Sequence, residues 1–384
     1  MHDPSESILT LPPRDQMDEH ARRLHDTYAI RPTDRLIRRE FGYYSLQAWE
    51  AQGLSLDEPL AQQFRYDPPG FHALGGLGWC EAAFEPVFET KVIEDRGDYE
   101  LEQDHAGRHV LYFKGRRDGF MPEYVAHPVQ DQTTWERDVV WRMDPTSPAR
   151  YAELETQMAA AREAARRGLM VSQRVIGGYM YLRSLIGPER LLYAFHDQPE
   201  LIHTCMEAWL SLADTVIAKH QEHVTLDELF LAEDICYNGG ALISPRMMRT
   251  FLLPYYQQLI DNVRRRQLDP ARHLYIQIDT DGNALPVIPI YREIGMDAMS
   301  PFEVAAGCDV VEIGRRYPEL AIFGGIDKRV LAQGRAAIDA HLERILPTMR
   351  QRGGYIPTCD HGVPAEVPLD DYRYYRQRCI ELGG

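Results

Sequence analysis

Six short apolar runs, each followed by a helical stretch, fill the chain from residue 168 to its end, and this rhythm limits the fold more than any other feature. The runs are LMVSQRVIG, LDELFLAED, LYIQID, MDAMSP, LAIFGGID and GYIPTCD, and DDYRYYRQRCIEL closes the series as a terminal helix. Strands that alternate with helices pair in parallel through right-handed crossovers. Six such strands, with room for two more before residue 168, predict an α/β chain folded as a TIM-type (β/α)8 barrel. An open doubly wound sheet is the alternative, but no G-x-G-x-x-G opens a helix after a strand. Without an internal repeat or low-complexity linker, residues 1–384 are expected to form one domain, elaborated over 1–145 and regular over 168–384.

The earlier part of the chain reads differently. Residues 1–25 are polar, with Pro12-Pro13, and predict a loose arm. Arg35, Arg38, Arg39 and Glu40 cluster in a segment that predicts a solvated helix face, with an anion site as the alternative. From Phe84 to Phe113, apolar and charged residues alternate around Arg96-Gly97 and Ala106-Gly107, the pattern of antiparallel hairpins outside the main fold. Arg116 and Arg117 follow and are candidates for a substrate mouth. Ser244 and Pro245 mark a helix start, as N-cap and first helical residue.

Charge and cysteine usage narrow the function classes. A formal net charge of −16 disfavours a nucleic-acid or anionic-membrane surface. No run approaches the roughly 20 apolar residues of a membrane span, and the N-terminus lacks a basic start followed by an apolar core, so a cytoplasmic location is expected. The six cysteines contain no CxxC pair, which points to reduced, buried thiols.

Several strand ends deliver polar groups to a turn: Glu233 and Asp234 in LAEDICYNGG, Asp279 and Asp281 in QIDTDGN, Glu303 in SPFEVAAG, Asp327 and Lys328 in GGIDKR, and Cys359, Asp360 and His361 in PTCDHGVP. A single acid after a strand is an ordinary cap. Five consecutive ones in a barrel would share the carboxyl-end mouth, where barrel enzymes place their chemistry. Asp279, Asp281, His361, Glu233 and Asp234 are therefore the catalytic candidates, with Glu303, Asp327, Lys328 and Tyr179 beside Arg116 and Arg117 as substrate-binding candidates. Two chemistries suit such a mouth. Asp279, Asp281 and His361, with Cys359 as a further donor, can hold a divalent metal such as zinc; alternatively, His361 among carboxylates can carry protons near neutral pH.

LAEDICYNGGALISPRMMRTFLLPYYQQLI, QIDTDGN, MSPFEVAAGCDVV, IFGGIDKRVLAQG and GGYIPTCDHGVPAEVPLDDYRYY together resemble the uroporphyrinogen decarboxylase superfamily, which also contains corrinoid-dependent methyltransferases. The resemblance implies a TIM-type barrel with its site at the strand carboxyl ends. It further implies that zinc ligands of the methyltransferases fall on Asp279, Asp281 and His361, and that a histidine before glycine in the decarboxylases falls on His361 and Gly362. The arginine-containing RQAGRY motif of authentic uroporphyrinogen decarboxylases is not reproduced, although Arg38, Arg39 and Gly42 lie near its place.

The leading expectation is a methyltransferase moving a methyl group between a corrinoid, free or on a carrier protein, and a small molecule. A cofactor-free decarboxylase of a carboxylated substrate is the alternative, and a non-catalytic metabolite- or corrinoid-binding protein the third. A homodimer is compatible with each.

Overall fold

The computed structural model describes residues 16–115 and 122–384. Among them, seven parallel strands form one sheet: β1 (Phe71–Leu74), β6 (Met170–Ile176), β7 (Glu228–Ala232), β10 (Tyr275–Thr280), β11 (Ala298–Pro301), β12 (Ala321–Phe323) and β13 (Tyr355–Ile356), adjacent in that order. The protein is thus an α/β fold with a parallel sheet, and all six expected C-terminal strands belong to it. Only one strand of the sheet, β1, precedes residue 168, where two were expected. Residues 38–44 lie between the sheet's first and last strands instead. Arg39 donates to the Pro69 carbonyl just before β1 (3.2 Å), and Tyr43 bridges Val363 beyond β13.

A separate antiparallel sheet, in spatial order β2 (Lys91–Arg96), β3 (Tyr99–Gln103), β4 (His109–Phe113) and β5 (Glu123–Ala126), turns at Gly97 and Gly107. Both glycines have left-handed φ, +76° and +75°, which a hairpin turn requires and other residues resist. A two-strand hairpin, β8 (Cys236–Tyr237) with β9 (Gly240–Ala241), follows β7.

Register decides which side chains face inward. Arg174, Phe230, Gln277 and Ala298 stand opposite one another on β6, β7, β10 and β11, and one step towards the carboxyl ends Ile176, Ala232, Asp279 and Ser300 do the same. Residues of opposite parity, such as Val175, Leu229, Leu231, Ile276 and Ile278, pack against the helices and are essentially inaccessible. The helix Glu19–Tyr28, capped by Asp18, seals the amino end: Met17, Ala21, Leu24 and Tyr28 pack against Met170, Tyr275, Ala298, Phe323 and Ile356.

Two local readings change. SPRMMRTFLLPYYQQLIDNVRRR, expected as one helix, forms two, Pro245–Phe251 and Leu253–Arg266; Pro254 disfavours helical backbone just before it, and the break falls at Leu252. Ser244 does cap the first, accepting from the Met247 amide. Arg35, Arg38, Arg39 and Glu40, expected on a solvated helix face, lie in irregular backbone and are only partly exposed.

Candidate active site

The inward parity of β10 carries Gln277 and Asp279 into the sheet's concave side. There the Tyr28 hydroxyl donates to Gln277 Oε1 (2.7 Å), the Gln277 amide to Ser300 Oγ (2.9 Å), and Ser300 Oγ to Asp279 Oδ2 (2.5 Å). This string holds the Asp279 carboxyl from the sealed end upward. Removal from water pushes its pKa up to about 6, Ser300 opposing the shift and Asp281 and Asp234 adding to it.

Below Asp279 lies a cavity of about 80 Å³ lined by Arg39, Arg174, Glu228, Phe71, Phe230 and Gln277 among others. The Arg174 guanidinium sits 5.7–6.0 Å from the ring centres of Trp79, Phe230 and Phe71, and Arg39 lies 5.9 Å from Phe71. Arg174 has no carboxylate within ion-pair distance among the described residues. Glu228 lines the same cavity; burial raises its pKa, while Tyr28, Ser172 and the two arginines draw it back.

At the rim, His361 Nε2 meets Asp281 Oδ2 at 3.4 Å, and the Tyr44 hydroxyl lies 3.3 Å from Nδ1. The Asp281 hydrogen bond holds the His361 pKa above its usual value against the opposing effect of burial. Glu303 accepts from the Gly282 amide (2.9 Å) and from Lys328 Nζ (3.1 Å), and Lys328 also lies 3.5 Å from Asp360. Asp234 pairs with Arg183 at 2.7 Å and holds a left-handed φ of +43°, a strained backbone for a residue with a side chain. Asp279, Asp281, His361, Glu303, Lys328 and Asp234 therefore belong to one mouth.

The remaining candidates do not. Glu233 is one residue past Ala232, so it points away from the concave side. It is fully buried, and Tyr256 donates to its carboxylate at 2.7 Å. Burial pushes its pKa up to about 7 despite hydrogen bonds from Tyr256 and the Tyr179 amide. Tyr179 is fully buried, its hydroxyl without a partner among the described residues. Asp327 caps the turn Lys328–Ala332 and pairs with Arg329 (2.8 Å), a structural role. Arg116 and Arg117 lie outside the described residues.

The metal set expected at Asp279, Asp281 and His361 is not assembled. Asp279 is committed to Ser300, and Cys359 is a buried thiol whose pKa burial raises well above normal. Among the described residues no three His, Cys, Asp or Glu side chains converge as a metal would require. The side chains of the described residues, as they are placed, give zinc no fitting donor set.

Sequence reasoning missed Arg174 and Arg39. Arg174 had a readable signal, a lone cation in the middle of the apolar run LMVSQRVIG, at an alternate position with Ser172. Arg39 stood in the arginine cluster near the place of the RQAGRY motif, but its direction depends on the irregular path of residues 38–44.

Comparison with known proteins agrees with this architecture. The chain resembles the uroporphyrinogen decarboxylases of Alcanivorax borkumensis (26% identity over 49% of this chain and 50% of the relative) and Crocosphaera subtropica (28% over 47% of each). It thus spans about half the length of the curated relatives it matches. A solved methyltransferase from Methanosarcina mazei shares the fold, with a TM-score of 0.55 at 13% identity over 95% of this chain and 99% of that one. The family model for uroporphyrinogen decarboxylase (URO-D) matches residues 121–381, well over half of the sequence, and the chain belongs to that family.

Proposed function

We propose that this protein is an enzyme that decarboxylates a small carboxylated substrate without a metal, inside a barrel of which the seven-stranded sheet is the wall, residues 38–44 close the gap, and the four-stranded sheet is an excursion. The observation that carries this reading is Arg174, a cation over three aromatic rings with no carboxylate partner of its own, beside Arg39 in a closed-end cavity under Asp279. Such a pair suits a substrate carboxylate, because guanidinium groups bind carboxylate geometry well and the surrounding rings exclude water.

The residues divide the work as follows. Arg39 and Arg174 anchor the substrate, and ionised Asp279 stabilises the positive charge that develops when an electron-rich substrate is protonated. The bond to the leaving carboxyl carbon then breaks, its electron pair passes into the protonated centre, and carbon dioxide departs. The proton that first adds to the substrate is the one that takes the carboxyl group's place, so one proton is consumed per carbon dioxide released, and His361, whose pKa Asp281 raises, supplies it.

The test is to incubate the protein in D2O with small aromatic and heteroaromatic carboxylates, following carbon dioxide release and deuterium in the product. Release with one deuterium per turnover, unaffected by a chelator, is the expected result. Demethylation of methylcobalamin, or activity abolished by the chelator, would instead support the corrinoid-linked methyl transfer that the resemblance also implies.

A further inference from the structure

Tyr44 serves no core, being 65% exposed, yet it is fixed in place from three directions. Its amide donates to the Val363 carbonyl (2.9 Å), and the Val363 amide donates to the Gly42 carbonyl (2.8 Å), which ties residues 42–44 to the segment just past His361. Gly362 makes room for the ring: a Cβ there would come within 2.8 Å of Tyr44 Cε2. Glu40, on the same strap, accepts from the Cys359 amide (2.7 Å) and from the Tyr372 hydroxyl (2.9 Å), so the backbone leading to His361 is clamped on both sides.

The result is an imidazole held between two rings. Phe41 lies 5.1 Å from the His361 ring centre at 36°, and Tyr44 stacks at 5.6 Å and 25°. Both ring nitrogens are engaged, Nε2 by Asp281 and Nδ1 by the Tyr44 hydroxyl.

We propose that Tyr44 is a positioning residue that fixes the tautomer and ring orientation of His361. In neutral His361 the proton resides on Nε2, facing Asp281, and the Tyr44 hydroxyl donates to the Nδ1 lone pair. When His361 is charged, Nδ1–H donates to the Tyr44 oxygen. A hydroxyl can play both parts, so Nδ1, the nitrogen that gains and loses the proton, exchanges it through the Tyr44 oxygen and keeps a partner in either charge state, while Nε2–H stays on Asp281. A side chain able only to donate, or only to accept, would favour one charge state and slow the return to the other.

This inference rests on His361 as the proton carrier, but its test needs no turnover. Full-length protein labelled with 15N at histidine is compared, above the pH at which His361 titrates, with Tyr44→Phe and Gly362→Ala; His361→Asn assigns the resonance. Unaltered protein is expected to show one tautomer, with the proton on Nε2. Tyr44→Phe should convert it to a mixture, and Gly362→Ala should do likewise by displacing the ring although the hydroxyl is still present. Unchanged shifts from the other histidines confirm the fold. A single Nε2–H tautomer surviving in both variants overturns the proposal. A lost tautomer lock in a protein that releases no carbon dioxide from any substrate tried would leave Tyr44's role standing and count against decarboxylation alone.

Discussion

Glu233 and Asp279 end neighbouring strands, follow similar apolar runs, and finish in opposite environments. Asp279 stands opposite Ala232 in the sheet, and Glu233 is the next residue along, so a difference of one position sends one carboxyl into the concave side and the other out among the helices. Asp279 faces an arginine-lined cavity with a hydroxyl below it; Glu233 faces a wall of tyrosines. Burial raises both pKa values, yet only Asp279 faces the concave side. A perturbed carboxyl at a strand end is therefore a site candidate only once its parity is known.

The comparison breaks most sharply by substitution on the inner face. Asp279→Asn, nearly isosteric, is expected to lower turnover by about a hundredfold or more while leaving the fold unchanged, the usual scale for losing a charge that acts in the transition state. Glu233→Gln should leave turnover within a few-fold of the original, measured on the same substrate.

On the outer face the readout is stability. The pKa of Glu233 is raised in the folded protein, to about 7, above the usual glutamate value, so the folded state prefers the neutral acid. Its contribution is complete below the unfolded pKa and is lost as pH rises towards the folded one, leaving a constant penalty beyond, of roughly 3 kcal/mol. Glu233→Gln should accordingly stabilise the protein by about 2 kcal/mol at pH 8 and hardly at all at pH 4, as read from denaturant unfolding at the two values. Equal effects at both would mean that folding does not shift the Glu233 pKa.

Arg174→Ala sharpens the inner side of the comparison. Binding of a carboxylate inhibitor should weaken about ten- to a hundredfold, the range for a lost charge-assisted hydrogen bond, and the variant should unfold no more readily than the original. The smallest effect is expected at the rim. Asp281→Asn should move the alkaline limb of the turnover profile towards lower pH by about one unit or less, because His361 then lacks the carboxylate that raises its pKa in a partly solvated place.

The sequence made the repeated strand and helix rhythm legible because apolar periodicity is local, and six strands after residue 168 stand where it places them. It also identified the turns that carry Asp281, Glu303, Lys328 and His361 to one rim. Direction was harder to read. The apolar run before Glu233 is buried on both faces, so no alternation marks which side chain points in, and only the pairing of Asp279 with Ala232 settles it. Cys359 looked like a ligand because it lies two residues from His361, but the backbone bends after Cys359, leaving the thiol buried and the imidazole at the rim. The path of residues 38–44 follows from long-range contacts with Val363, Cys359 and Tyr372, partners more than three hundred positions away, which no local pattern encodes.

The helix Glu19–Tyr28 across the amino end has a consequence for traffic. In the closed barrel proposed above, Leu24 and Tyr28 would make the cavity a blind well, and every molecule that enters over the rim would have to leave over it. The order of departure is then set by depth. A fragment freed near the arginines must pass the remainder of the substrate or wait for it, and a competitor that only covers the rim would trap whatever lies beneath.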